Sequence, residues 1–399
     1  MAKAQSLIVS IGLLVPGCAP AVQHAPGSTG SPSVSVGPTP RYALGHFPKP
    51  PTGSLPDQTV DAMQAILDAA VNRGLPSMSA TVMAADGGVW SGVAGTADGE
   101  HPVELGSQFA IASITKTVIA AEVMSLSEAG LLHLDDQVSR HLPKGFDFDT
   151  NGATIRNLLG MESGIPDPTI TRSEAVADPG HIWDPTEILA TVPDGRSEAG
   201  AHFVYEDSNY MLLGLVIEEV TGTSVATALR SDVLADPRLS ALVYQPEERP
   251  EGPFALPFGG RDGPEAMEAG GGYLPSAAET SRGNGSGCMA SDSASLALFG
   301  YLLFGGNLVS EPSLQAMTNF GSAANYDRYG LGVFEQTNLA QGFGVQAVGN
   351  GGWEEGGYSS VLAVLPSEGL AISVMTNTAG DPIQLVMPIA QELASVIDR

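Results

Sequence analysis

Strand-forming sequence in this chain lies at its two ends, with a long helical stretch between, and that segregation restricts the fold more than any other feature. Two apolar runs, Met78 to Ala84 and Val89 to Val93, are joined by Ala85-Asp86-Gly87-Gly88, which is a hairpin signal. Near the C-terminus the runs Tyr329 to Glu335, Gly344 to Gly349, Ser359 to Leu365 and Leu370 to Asn377 alternate with turns. From Thr154 to about Leu234 helical periodicity dominates, without a clear strand. A helix is expected from Pro56 to Arg73, where Val60, Met63, Ile66, Leu67, Ala70 and Val71 make one apolar face, and another from Pro382 to Ile397. Helices are also expected over Thr154 to Pro166, Asp292 to Phe304 and Glu311 to Phe320. This order predicts an α/β fold of the α+β type, an antiparallel sheet flanked by helices with an all-helical subdomain inserted. The sheet lobe is expected at about 54–125 and 288–399, and the helical lobe at about 126–287. Pro237 to Gly287 is rich in Gly and Pro and is expected to cover a cleft or pack as a lid.

The first 21 residues read as an export signal: Lys3, the apolar run Leu7 to Val15, then small residues. That run is too short to span a bilayer. It ends in Leu14-Val15-Pro16-Gly17-Cys18, which resembles a bacterial lipoprotein box with Cys18 as the lipidated residue, while Ala19-Pro20-Ala21 offers a rival cleavage site. Anchoring through a lipid on Cys18 is the favoured reading and simple secretion the alternative. Residues 22–53, mostly Pro, Gly, Ser and Thr, read as a tether, and the domain follows at 54–399. Cys288 is the only other cysteine, so no intrachain disulfide is expected. The formal charge of −27 argues against nucleic acid or an anionic membrane surface as partner.

Ser113-Ile114-Thr115-Lys116 precedes an apolar helical run, Val118 to Leu126. At i and i+3 on a helix, the hydroxyl and the amine share one face within hydrogen-bonding reach. A serine hydroxyl is a poor nucleophile until a base accepts its proton, and a lysine desolvated among Ile111, Ile114, Val118 and Ile119 is one candidate. The chain has only Lys3, Lys49, Lys116 and Lys144 against thirteen arginines, which stay protonated and cannot take that role. An ordinary helix start, with Ser113 or Thr115 as cap, fits the same four residues.

Two further stretches carry chemistry. Tyr205 lies just before a strong helix, Met211 to Val220, and its phenol beside the Ser113–Lys116 pair would relay a proton. Asn350-Gly351-Gly352-Trp353 is expected to link two strands, its glycines allowing close approach to a substrate and the Trp353 N–H joining that of Ser113 as an oxyanion hole. Gly222-Thr223-Ser224 follows a helix rather than a strand and is no nucleophile elbow. No pair among the seven histidines has metal-ligand spacing, no metal or cofactor is expected, and no histidine lies late enough in the chain for a Ser-His-Asp triad.

In this order and spacing, the stretches resemble the family of serine β-lactamases of class C, D-alanyl-D-alanine carboxypeptidases and related esterases. Ser113-x-x-Lys116 matches its first motif, Tyr205-x-Asp207 its second and Asn350-x-Gly352 its third, and similarity continues through Ser163-Gly164-Ile165, Tyr210-Met211-Leu212-Leu213-Gly214 and Tyr329-Gly330-Leu331-Gly332. The resemblance implies Ser113 as nucleophile, Lys116 and Tyr205 as the proton-moving pair, and Asp207, Asn350, Gly351, Gly352 and Trp353 at the substrate or oxyanion. Two motif positions depart. Asp207 replaces the usual Asn and would favour a protonated Lys116, shifting the base role to Tyr205. Asn350 replaces Lys or His, and with Glu354 and Glu355 nearby it disfavours substrates that carry a carboxylate. The resemblance thus implies an exported serine hydrolase, expected as a monomer, acting on a small-molecule or peptide amide or ester at the cell envelope, of carboxypeptidase or β-lactamase type. A carboxylesterase and a non-catalytic binding module are the alternatives.

Overall fold

The computed structural model describes residues 47–397 apart from 176, 259–266, 268–269, 321, 324–327 and 338–341. The export signal, Cys18 and the tether up to residue 46 lie outside the described residues. Helix α1 (Asp57–Asn72) leads into a hairpin of β1 (Ser77–Ala84) and β2 (Gly88–Gly95), then a short strand β3 (Phe109–Ala110) and helix α2 (Thr115–Glu128). The helical stretch follows as α3 (Ile155–Leu159), α4 (Arg172–Ala175), α5 (Pro185–Leu189), α6 (Ser208–Thr221) and α7 (Val225–Ser231). Next come β4 (Val243–Tyr244), α8 (Ala277–Arg282), β5 (Met289–Ser291), α9 (Ser293–Phe304) and α10 (Glu311–Met317). The last part holds β6 (Ser322–Ala323), β7 (Arg328–Tyr329), β8 (Phe334–Glu335), β9 (Val348–Glu354), β10 (Tyr358–Leu365), β11 (Leu370–Thr376), α11 (Pro382–Leu385) and α12 (Met387–Val396).

Among the described residues the main sheet runs β2-β1-β11-β10-β9-β8-β7-β6, antiparallel throughout. The N-terminal hairpin therefore meets the C-terminal strands, β1 on β11. Alternation along the strands sorts the core into two layers. Ala80, Val82, Val361, Ala363, Ile372 and Val374 face α1 and α12, while Leu362, Val364, Ala371 and Met375 face the layer containing α2, α6 and α9. Both sheet faces are covered, which is why β10 and β11 read as almost unbroken apolar runs. Helix α9 is buried along nearly its whole length, and Gly300 lets it lie directly on Leu362 and Val364.

Several elements differ from their sequence-based expectation. The helix expected from Thr154 ends at Leu159, because Met161 takes a positive φ of 58°. The closing helix is divided at Val386, since Pro388 in the first turn of α12 has no N–H to continue a preceding turn. The Pro237–Gly287 stretch carries β4 and α8 and is not wholly irregular. Most consequentially, Asn350 to Trp353 does not link two strands but lies within β9.

Candidate active site

Ser113 occupies a 3₁₀ turn, Ala112–Ile114, between β3 and α2, so it precedes the α-helix instead of opening it. Ala112 is held at φ 45°, a strained conformation for a residue with a Cβ, directly before Ser113. Neither Ser113 nor Thr115 caps the helix: Thr115 Oγ1 instead accepts from the Met289 N–H of β5 at 3.1 Å. The ordinary-helix-start reading therefore does not describe this turn.

Lys116 is entirely buried, and its ammonium donates to Ser113 Oγ at 3.2 Å, Asp207 Oδ1 at 2.6 Å and the Ser286 carbonyl at 2.9 Å. These acceptors use its three hydrogens. Burial pulls against the charged form, but Asp207 and then Tyr205 outweigh it, and the Lys116 pKa lies above its ordinary value. Asp207 responds in the opposite sense: burial pushes its carboxyl up, Lys116 pulls it down, and the net shift is down. Lys116 is an ammonium in this resting geometry.

The Ser286 carbonyl comes from a turn that sequence reasoning passed over, Gly283 to Gly287. Gly285, at φ +71°, lies so close to the Tyr210 carbonyl that a Cβ would overlap it, which presses the turn onto α6 and aims Ser286 at Lys116. The closely spaced glycines Gly283, Gly285 and Gly287 were the available signal.

Tyr205 is 37% exposed beside Lys116, whose Nζ lies 4.9 Å from its ring centroid. Its ring stacks on Phe334 at 5.9 Å and meets Tyr329 edge-on at 6.0 Å. Tyr329 Oη in turn donates to Tyr210 Oη, and Tyr210 Oη to the Leu159 carbonyl. Aromatic contacts from β7 and β8 thus orient the phenol. Two more carboxylates adjoin Asp207. The Glu206 pKa is pushed up to about 7 by burial and then by Asp167, and burial followed by Asp207 raises Asp167.

Strand β9 supplies the other wall. Gly352 packs against the Ile111 carbonyl and Ser360 Oγ without room for a Cβ, which brings the β9 backbone onto the residue leading into the Ser113 turn. This approach puts Trp353, which is 54% exposed, beside the Ser113 turn. Asn350, expected at the substrate, is instead 1% exposed and turned inward: Nδ2 donates to Thr117 Oγ1 at 3.3 Å and Oδ1 accepts the Gly351 N–H at 2.9 Å. Strand alternation on β9 sends Asn350 and Trp353 to opposite faces. Glu354, expected to repel carboxylates, is half-buried and lies 4.0 Å from the Arg172 guanidinium, while Glu355 is exposed. A cavity of about 610 Å³ lined by Gln108, Arg230 and Arg249 includes none of these residues.

Comparison with known proteins bears on the family and the fold. The Beta-lactamase family model matches residues 57–394. Protein flp of Staphylococcus aureus is 34% identical over 122 residues, 30% of this chain and 24% of that protein. Penicillin-binding protein 4* of Bacillus subtilis is 32% identical over 162 residues, 38% of this chain and 35% of that protein. The chain therefore matches only about a quarter to a third of the length of these relatives. Among solved structures, a D-stereospecific amidohydrolase from Streptomyces sp. is 26% identical with a TM-score of 0.67, covering 84% of this chain and 97% of that one. D-amino acid amidase from Ochrobactrum anthropi SV3, at 23% identity, has a TM-score of 0.71 over 85% of this chain and 98% of that one, which speaks for the fold.

Proposed function

Because this chain belongs to the beta-lactamase family of serine hydrolases, amidases and peptidases, we propose that Ser113 attacks an amide or ester carbonyl and forms an acyl-enzyme. The observation that carries this reading is the buried Lys116 ammonium 3.2 Å from Ser113 Oγ and held by Asp207. With its three hydrogens engaged, Lys116 is poorly placed to accept a proton and acts as a fixed positive charge. Tyr205, whose ring centroid lies 4.9 Å from the Lys116 ammonium, takes the Ser113 proton and returns it to the leaving group. The amides of Ser113 and Trp353 hold the developing oxyanion. Water then repeats the sequence on the acyl-enzyme.

For substrate we propose a D-aminoacyl amide or peptide lacking a carboxylate next to the scissile bond. The 26%-identical D-stereospecific amidohydrolase and the inward, neutral Asn350 support it. A small ester is the second reading, favoured by the same absence of a cation at Asn350. Carboxypeptidase or β-lactamase action has less support, since each requires a site for the substrate's carboxylate. We also propose that the protein is exported and lipid-anchored at Cys18, as its lipoprotein-like box suggests. Membrane fractionation of wild type and Cys18→Ser tests this: equal release of both into the soluble fraction would count against the anchor.

Intact-mass analysis tests the chemistry, using a fluorophosphonate, a labelled penicillin, and D- and L-aminoacyl anilides, with Ser113→Ala as control. We expect a fluorophosphonate adduct on Ser113, turnover of the D-anilide over the L-anilide, and little penicillin adduct. A stable penicillin adduct would restore the carboxypeptidase reading, ester turnover alone would favour the esterase, and a folded protein with no adduct would be a binding module.

A further inference from the structure

Strand β9 is paired unequally along its length. Among the described residues, Val348 and Gly349 pair with β8 on one side and β10 on the other, but Asn350 to Glu354 pair only with β10. Their other edge borders the Ser113 turn. An amide meant to hold an oxyanion needs a fixed direction, yet the strand end that carries Trp353 lacks a second neighbour. Side chains must supply that rigidity.

Asn350 supplies it at the near end, through Thr117. At the far end Glu354 Oε1 accepts the Gly356 N–H at 3.1 Å, closing the turn to β10, and lies 4.0 Å from Arg172 Nε. Arg172, buried at 9% exposure, also contacts Glu279 Oε1 at 2.6 Å, and Glu279 Oε2 lies 3.5 Å from Arg282 Nη2. Gly356 leaves no spare room: a Cβ there would stand 2.7 Å from Pro275 Cγ and 3.2 Å from Arg172 Nη2. The guanidinium therefore rests on the β9–β10 turn and is fixed from behind by α8.

We propose that Arg172 is a positioning residue that, through Glu354 and the turn at Gly356, holds the end of β9 so that the Trp353 amide points at the reacting carbonyl. The kinetic consequence rests on the acyl-enzyme reading above; the mechanical tie does not. Arg282, on the other side of Glu279, lines a small cavity of about 40 Å³ with Asp207, so the same ion cluster reaches the Lys116 side of the site.

The test is hydrogen exchange combined with steady-state kinetics on the full chain, for Glu354→Gln and Arg172→Lys. Glu354→Gln removes the charge on the strand while leaving the buried Arg172–Glu279 pair intact, so folding is retained. Exchange in residues 350–358 should accelerate about tenfold while that in β1 and β11 stays unchanged, as expected for local opening. Turnover should fall about tenfold in kcat with KM within about twofold, because the interaction acts in the transition state. Arg172→Lys keeps the charge without the planar guanidinium whose Nε lies between the two carboxylates, and should retain less than half of wild-type kcat. Unchanged exchange across 350–358 in both variants would overturn the tie, even in a protein that proved to have no hydrolase activity. Faster exchange with unaltered kcat in an active enzyme would overturn the positioning role.

Discussion

Gly352 lies against Ile111 so closely that a Cβ on the glycine would overlap the Ile111 carbonyl oxygen and Ser360 Oγ. Ser360 Oγ donates to that same carbonyl at 3.2 Å. The strand is thereby brought onto the residue that leads into the nucleophile turn. Gly352→Ala should push β9 away and cost about 10²–10³ in acylation rate, the range seen when an oxyanion donor is lost. Fluorophosphonate labelling rates, with circular dichroism to confirm folding, check this; a rate within threefold of wild type would show that the close approach is dispensable.

Lys116→Met strands the Asp207 carboxylate. Because 40% of that side chain is exposed, solvent screens it, and the stability loss should be about 1–3 kcal/mol, less than for a fully buried ion. The neutral pair Lys116→Met/Asp207→Asn should regain most of that stability while remaining inactive. Urea unfolding and labelling measure the two effects separately. Recovery of activity in the double variant would exclude a catalytic part for the ammonium.

Tyr205→Phe keeps the ring contacts with Phe334 and Tyr329 but removes the phenol. Activity should fall about 10²–10⁴-fold, as expected for loss of a general acid–base group, with Tm changed by less than about 3 °C. A fall of only a fewfold in kcat/KM would return the base role to Lys116.

Glu122 of α2 is buried at 1% exposure, and burial followed by the Asp232 charge raises its pKa from 4.5 to about 7. Between those values the folded protein keeps a proton that the unfolded chain releases, so stability falls as pH rises through this window and levels off above it. The loss should be about 2–3 kcal/mol. Glu122→Gln should abolish this part of the slope, and urea denaturation at pH 4.5 and pH 8 measures it. Identical slopes in both proteins would show that Glu122 titrates normally.

Local signals were enough for much of this. Hydrophobic period and turn residues marked α1, the β1–β2 hairpin, α9, β10 and β11 to within a few residues, because each buries a regular face. Ser113, Lys116 and Tyr205 could be picked out as candidates for a similar reason, since their chemistry is restricted to a few residue types, and the fold brings the three side chains together. The proton on Lys116 could be argued from Asp207 alone.

What the sequence left open depends on contacts between distant segments. Asn350 and Glu354 looked like features facing the substrate, but strand register and the approach of α2 and α4 turned one toward Thr117 and the other toward Arg172. The Ser286 carbonyl carries no signature of its own, since any residue presents one; only the packing of Gly285 on α6 brings it to the ammonium. Sequence by itself determined which groups have the reactivity and which segments have the periodicity to form the elements. Tertiary structure decided which way each group faces, because direction arises from pairing and packing between residues far apart in the chain, and no local pattern records it.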